Sequence, residues 1–119
     1  MSAQNAALAR KWLEVFNAKD LDGLIALYTD DCTHTSPKIR SLHPDTGGKL
    51  VGKDALRAWW KDAFQRLPNL RYEETAVTAN DERAFLEYVR HAHNETPMRV
   101  AEVFEVRGGR IAHSRVYHG

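Results

Sequence analysis

The segment from residue 99 to 118 constrains the fold most, because it consists of two alternating apolar and polar runs joined by a glycine pair. Gly108 and Gly109 tolerate the positive backbone φ angles that a two-residue β-hairpin turn requires. If only these glycines form the turn, Arg107 pairs with Arg110 and the register of both strands follows from that pair. The sequence therefore predicts an antiparallel hairpin at this end of the chain.

The predicted register gathers polar side chains on an otherwise apolar face of the hairpin. The cross-strand pairs on that face are Val106 with Ile111, Phe104 with His113, Glu102 with Arg115, and Val100 with Tyr117. A buried charge costs several kcal/mol unless it is paired and hydrogen-bonded. A carboxylate, a guanidinium, an imidazole and a phenol in this setting indicate a lined cavity. The assignment depends on this hairpin register, because a bulge would move every residue to the other face.

Length and composition exclude several classes of protein. The 119 residues predict a single domain over 1–119, and 43% hydrophobic with 28% charged residues is typical of a globular domain. A net charge of +1 gives no reason to expect nucleic acid or an anionic membrane as a partner. Cys32 is the only cysteine, and no secretory signal or membrane-length apolar run is visible, so a cytoplasmic location is expected.

The order of predicted elements indicates an α+β fold. Apolar spacing predicts helices over 3–18, 20–28 and 53–67, and strands over 32–36, 70–78, 84–93, 99–107 and 111–117. Three helices in the N-terminal half, followed by an antiparallel meander, favour helices packed on a strongly curved, mostly antiparallel sheet. Such a cone leaves room for an internal pocket. Residues 37–52 show no period and are predicted as a loop, which would be a lid, a dimer contact or simply solvated.

Three segments and their order resemble a known superfamily. They are FNAKDLDGLIALYTDDC at 16–32, GKDALRAWW at 52–60 and AEVFEVRGGRIAHSRVYH at 101–118. Together they resemble the nuclear transport factor 2-like superfamily, which includes SnoaL-like polyketide cyclases and ketosteroid isomerases. The resemblance implies a cone-shaped fold but not one activity, because members include isomerases, cyclases, dehydratases, epoxide hydrolases and non-catalytic domains.

The resemblance does not extend to the catalytic residues of ketosteroid isomerases. Trp12 stands where those enzymes have a tyrosine oxyanion donor, and Ser36 stands before Pro37 where they have an aspartate base. Glu102 matches their protonated aspartate and stays a candidate hydrogen-bond donor. Steroid isomerisation is therefore not expected of this chain.

His34, Glu102 and Arg115 are the candidate catalytic residues. Imidazole is the side chain best suited to proton transfer near neutral pH, and His34 on the first predicted strand is the preferred base. Glu102 would act as a general acid or base tuned by Arg115, or Arg115 would clamp a substrate carboxylate or enolate. A purely structural ion pair between the two strands is the alternative.

Further residues are predicted to line the pocket, and most of them are aromatic. They are Trp12, Phe16, Tyr28, Ser36, Trp59, Glu87, Phe104, His113, Tyr117 and His118. Aromatic walls favour flat, apolar or cyclic ligands. Which face of the 84–93 strand points inward stays open, since Glu87 would add a second carboxylate and Tyr88 a hydroxyl.

These features predict a protein that holds a small molecule in a pocket. Acid–base chemistry of the isomerase, cyclase or hydratase-type lyase class is expected, with no cofactor and no metal ion. The alternatives are a non-catalytic ligand-binding protein and a dimerisation module of the same fold. A homodimer is expected because one face of the hairpin would carry an apolar patch of Ala101, Val103, Ser114 and Val116.

Overall fold

Four α-helices pack against a six-stranded sheet in the computed structural model, which describes residues 2–119. The helices are α1 (Ser2–Asn17), α2 (Leu21–Ile25), α3 (Pro37–Leu42) and α4 (Lys53–Arg66), and a short 3-10 helix covers Pro44–Thr46. The face of the sheet that packs on α1 and α4 is called the inner face here, and the opposite one the outer face. The hydrophobic core lies between this inner face and the helices.

The sheet is antiparallel except at one pair of strands. Its strands are β1 (Tyr28–Thr35), β2 (Lys49–Val51), β3 (Arg71–Ala79), β4 (Arg83–His91), β5 (Met98–Arg107) and β6 (Arg110–His118). Their order across the sheet is β2-β1-β6-β5-β4-β3, and only β1 and β6 run parallel to each other. This arrangement confirms the predicted α+β class with a mostly antiparallel sheet.

The second helix is shorter than the sequence predicts. The Asp20 carboxylate accepts a hydrogen bond from the Gly23 backbone N–H at 3.0 Å, so the predicted N-cap is confirmed. The helix nevertheless ends at Ile25, and Tyr28 begins β1 instead of extending the helical stripe. Tyr28 pairs there with Ile111 of β6, so ladder pairing overrides local helical spacing.

Residues 37–52 hold regular structure, so the prediction of a loop is wrong. The Ser36 hydroxyl accepts a hydrogen bond from the Lys38 backbone N–H at 3.1 Å and caps α3, whose first residue is Pro37. Ile39 is the buried anchor of this helix. A helix of six residues with one buried residue produces no detectable period, which is why the pattern was not visible.

The C-terminal hairpin follows the predicted register only near its turn. Arg107 pairs with Arg110 and Val106 with Ile111, as predicted, but a bulge then places Glu105 opposite His113. The extra residue is Ala112, and both it and Ile111 are buried. Beyond the bulge, the predicted pairing of Glu102 with Arg115 is wrong, because Glu102 lies opposite Val116 and Arg115 lies opposite Val103.

The bulge decides which residues of β6 reach the core. Ser114 packs into the core beside Tyr28 and His34, and Val116 also lies on the inner face. His113 and Arg115 lie on the outer face with Glu105. The apolar patch from which a homodimer was predicted is therefore divided between the two faces, and the homodimer stays a prediction.

The cap of α2 gives a stability prediction. Asp20→Ala removes the acceptor for the Gly23 N–H and should lower the free energy of unfolding by about 1 kcal/mol. Asp20→Asn keeps a capping oxygen and should stay within a few tenths of a kcal/mol of the parent protein. Urea unfolding followed by circular dichroism measures both variants. Equal losses in the two variants would contradict the capping role.

Candidate functional site: a cavity beside His34

A cavity of about 260 Å³ lies between α3, α4 and the inner face of the sheet. Its buried wall is formed mainly by His34, Trp60, Tyr72, Tyr88 and Val100. Its volume is close to the lower end, roughly 300 Å³, of the range found for small-molecule sites. The cavity can therefore hold a small ligand of about one ring, with mostly aromatic and apolar contacts.

His34 is one of the buried polar residues of the cavity wall, with Ser36 and Arg90. Its side chain is 1% exposed, and its ring centre lies 5.4 Å from that of Trp60. Nδ1 is hydrogen-bonded to the Ser114 hydroxyl at 2.5 Å, while Nε2 has no partner among residues 2–119. Burial lowers the pKa of His34 to about 4, so the ring is neutral at physiological pH.

A chain of hydrogen bonds assigns the tautomer of His34. The Trp12 indole N–H donates to the Tyr28 hydroxyl at 2.9 Å, and that hydroxyl lies 3.5 Å from the Ser114 oxygen. Indole is only a donor, so Tyr28 accepts from Trp12 and gives its own proton to Ser114, which donates to Nδ1 of His34. The opposite direction would leave the Tyr28 proton without an acceptor among the described residues. His34 therefore carries its proton on Nε2.

Glu102 lies under the cavity and is fully buried. Its Oε1 accepts a hydrogen bond from the Tyr88 hydroxyl at 3.0 Å, and its Oε2 has no partner among residues 2–119. Burial raises the pKa of Glu102 to about 8, opposed only in part by the bond from Tyr88. The carboxyl group is therefore protonated at neutral pH, and it contacts the cavity through Tyr88.

The exposed side of the cavity is lined by charged residues. Lys38, Arg66 and Arg90 supply positive charge, and Glu95 supplies negative charge. Arg90 Nη1 donates to Glu95 Oε1 at 2.5 Å, and this bond, together with the nearby Arg90 and Lys38 charges, lowers the pKa of Glu95. His118 also lines this side, and burial, followed by the Lys38 and Arg90 charges, lowers its pKa. His118 is therefore a neutral imidazole near physiological pH.

The structure brings four of the predicted site residues to the cavity and places four others in a filled core. His34, Ser36, Trp59 and His118 line the cavity. The residues found instead in solid packing are Trp12, Phe16, Tyr28 and Phe104. Their rings contact one another directly, with the Trp12 and Phe16 centres 5.0 Å apart, so no ligand space is left between them.

Four further predicted residues, Glu87, His113, Arg115 and Tyr117, lie on the outer face of the sheet, away from the cavity. Arg115 is hydrogen-bonded to Glu105, and His113 Nδ1 lies 2.7 Å from the Thr33 hydroxyl. Glu87 and Tyr117 line a shallow groove on that face. The bulge explains why His113, Arg115 and Tyr117 of β6 point outward. On β4, Tyr88 points inward and its neighbour Glu87 points outward.

Sequence reasoning missed the role of Arg90. Leu86, Tyr88 and Arg90 are all buried on one side of β4, alternating with exposed residues. An arginine continuing an apolar alternation was a signal of a buried cation, and it was visible in the sequence. The contributions of Lys38, Arg66 and Glu95 had no comparable signal, because they come from three separate segments.

Two features are absent from residues 2–119, the part of the chain that the structure describes. No helix in this range is long and apolar enough to cross a bilayer. No group of three or more histidine, cysteine, aspartate and glutamate side chains in the same range is arranged to hold a metal ion.

The α+β fold has a curved sheet packed on helices, with a cavity between the two. These features define a protein of the nuclear transport factor 2-like superfamily. Within that class, the family model for the SnoaL-like domain matches residues 9–114, so the chain belongs to the SnoaL-like domain family. No relative was found among curated protein sequences.

Solved structures similar to this chain carry the same fold over nearly its whole length. A SnoaL-like protein of unknown function from Burkholderia thailandensis is 25% identical to this chain, with a TM-score of 0.87. The alignment covers 100% of this chain and 98% of that one. A candidate polyketide cyclase from Xanthomonas campestris is 22% identical with a TM-score of 0.82, covering 99% and 92%. A candidate ketosteroid isomerase from Kribbella flavida is 18% identical with a TM-score of 0.81, covering 99% and 79%.

The buried carboxyl group makes stability depend on pH. Because the pKa of Glu102 is higher in the folded than in the unfolded protein, its contribution to stability is lost as pH rises from about 4.5 towards 8. Glu102→Gln cannot ionise, so its stability relative to the parent should rise across pH 5 to 8 by an amount of the order of 4 kcal/mol.

Urea unfolding at several pH values measures this difference. Glu105→Gln is the matched control, because the hydrogen bond to Arg115 lowers the pKa of Glu105, opposite in direction to the shift of Glu102. A flat difference between Glu102→Gln and the parent protein would show that Glu102 is ionised in the folded state.

The hydrogen-bond chain predicts the tautomer that NMR should detect. The parent protein should show a single His34 tautomer with the proton on Nε2, and Ser114→Ala should shift the ring to a mixture because Nδ1 loses its donor. Thr33→Val, which removes the bond to His113 instead, should leave His34 unchanged. Two-dimensional ¹H–¹⁵N spectra of the ring nitrogens measure this. An Nδ1–H tautomer in the parent protein would reverse the assigned direction of the chain.

Proposed function

We propose that this protein is an enzyme that needs no cofactor and catalyses acid–base chemistry on a small, mostly apolar or cyclic molecule. The class is isomerase, cyclase or hydratase-type lyase. One observation carries the proposal: His34 is buried and neutral in the cavity wall, with an Nε2 that no residue in 2–119 satisfies. A buried polar atom without a partner costs about 1–3 kcal/mol, and a bound ligand would remove that cost.

His34 acts in this proposal as a hydrogen-bond donor to a substrate oxygen. A neutral imidazole held as the Nε2–H tautomer stabilises negative charge that develops on a carbonyl oxygen during enolate formation. Ser114 and Tyr28 are positioning residues, because they fix the tautomer without contacting the substrate. This role differs from the base predicted for His34 from the sequence, since its lowered pKa makes it a poor proton acceptor.

His118 is the proposed proton acceptor. It lines the cavity and is neutral near physiological pH, so its imidazole has a free lone pair for a proton taken from carbon. The electron pair left on carbon moves into the carbonyl group, and the resulting enolate oxygen is stabilised by His34 Nε2–H. Glu102 is assigned a positioning role through its bond to Tyr88, and Arg115 is assigned no role in catalysis because it lies on the outer face.

The named structural neighbours support this class of chemistry. One is a candidate polyketide cyclase and another a candidate ketosteroid isomerase, so both carry the name of one of the proposed enzyme classes. A second use of the cavity, ligand binding without turnover, is distinguished by the experiment that follows.

Exchange of carbon-bound protons tests the proposal without knowledge of the substrate. Cyclohexanone is incubated with the protein in D₂O, and loss of its α-proton signal is followed by NMR. The parent protein should accelerate the exchange, and His34→Gln and His118→Gln should each reduce the acceleration at least about tenfold. His93→Gln is the matched control, because His93 is outside the cavity lining and its removal should have no effect.

Two outcomes would contradict the enzymatic proposal. The first is exchange at the buffer rate with the parent protein, combined with a higher melting temperature in the presence of cyclohexanone, which indicates binding without catalysis. The second is unchanged exchange in His34→Gln, which would place the chemistry elsewhere.

A further inference from the structure

We propose that the ligand of this cavity carries one carboxylate group, which binds Arg90, and an apolar body that lies against the inner wall. The inference deepens the proposed function by naming a ligand class for the same cavity. It makes Arg90 a binding residue and Glu95 an internal competitor for the same guanidinium. Neither residue has a role in the chemistry proposed for His34 and His118.

The first observation is the burial of Arg90. Its side chain is 9% exposed, and it lines the cavity from the same face of β4 as Tyr88. A guanidinium has five N–H donors in a rigid fork that matches a carboxylate, and it stays charged at all relevant pH values. A buried charge is costly without an anionic partner, so this position favours a carboxylate beside it.

The second observation is that a carboxylate of the protein already occupies this position. Glu95 lies in the segment between β4 and β5, its side chain is 39% exposed, and its Oε1 accepts a hydrogen bond from Arg90 Nη1. The segment includes Asn94 at a backbone φ of 62° and lies at the edge of the cavity. Glu95 therefore shows that the guanidinium binds a carboxylate there. Glu95 belongs to a surface segment, and in this proposal that segment moves aside when the carboxylate of a ligand binds.

The third observation is the balance of charge around the cavity. Lys38 and Arg66 line the same cavity as Arg90, and Glu95 is the charged acid of that lining within residues 2–119. Arg66 is paired with Asp62 at 2.7 Å, whereas the Lys38 charge acts on Glu95 and helps to lower the pKa of that carboxyl. The surplus of positive charge attracts an anion and would repel a cation.

The inner part of the cavity gives the rest of the ligand its character. Trp60, Tyr72 and Val100 present aromatic and aliphatic surface, and His34 is neutral there. Loss of hydration at this depth is costly for an ionised group but favourable for an apolar ring. The 260 Å³ available is enough for one ring with a short substituent, so the ligand class is a small carboxylic acid with an apolar body.

Matched acids and amides test this inference. Benzoate and cyclohexanecarboxylate are titrated beside benzamide and cyclohexanecarboxamide, which have nearly the same shape without the charge. Isothermal titration calorimetry on the full chain should give dissociation constants about tenfold lower for the acids than for the amides. Equal affinity of acid and amide would overturn the proposal.

Variants of Glu95 separate competition from a structural role. Glu95→Gln removes the competing charge and should tighten benzoate binding about fivefold, while benzamide binding stays unchanged. Glu73→Gln is the matched control, because its carboxylate is also paired and exposed but lies outside the cavity lining. Weaker benzoate binding in Glu95→Gln would show that Glu95 supports the site instead of competing for it, which overturns this part of the inference.

Variants of the cations complete the test. Arg90→Gln should abolish the preference for acid over amide, and circular dichroism shows whether this buried substitution still folds. Lys38→Met, at a less buried position, should reduce the preference severalfold, with Lys61→Met on the exposed side of α4 as its control. A preference that survives Lys38→Met and Arg90→Gln unchanged would overturn the proposal.

The inference and the proposed function fail in different ways. Cyclohexanone has no carboxylate, so its proton exchange does not depend on Arg90. Exchange by the parent protein without any preference for acids would refute only the carboxylate site. Preference for acids without exchange would refute only the catalytic proposal and leave a binding protein for small carboxylic acids.

Discussion

The hydrogen bond between Ser114 and His34 depends on a single extra residue in the last strand. The bulge opposite Glu105 adds Ala112 to β6, and this turns Ser114 inward so that its hydroxyl reaches both Tyr28 and His34. Without the extra residue, Arg115 would take the inward position and Ser114 would face outward. The tautomer of His34, and the donor that it offers to the cavity, follow from this shift.

The fold also keeps opposite charges out of the cavity interior. Pairing Glu102 with Arg115 in the core would have buried two charges, whose desolvation costs several kcal/mol each and is only partly recovered by their attraction. In the structure Arg115 pairs instead with Glu105 on the outer face, where both side chains are about one third exposed. Glu102 stays in the core as a neutral acid, and the buried charge of Arg90 is compensated by its ion pair with Glu95 at the cavity edge.

The sequence predicted the fold class well because helical stripes and the glycine turn are strong local signals. It could not predict the bulge. Ile111 and Ala112 are both apolar, so the sequence does not show which of them continues the regular alternation and which is the extra residue. The filled core was equally hidden. The sequence shows that residues 12 and 16 are aromatic, but it does not show whether their rings line a space or fill it. The distance of 5.0 Å between the ring centres of Trp12 and Phe16 shows that the rings contact each other and leave no space.

The cavity combines rigid and less constrained parts of the chain, and this division suits a ligand that must enter and leave. His34 and Tyr88 are buried on strands of the central sheet, where ladder hydrogen bonds and core packing fix their positions, whereas His118 is exposed at the end of β6. Lys38 lies on a helix of six residues that is anchored mainly by Ile39, and Glu95 lies in a turn between strands. Short elements with few buried contacts open at low free-energy cost, so we expect the proposed anion-binding edge to rearrange more easily than the geometry around His34.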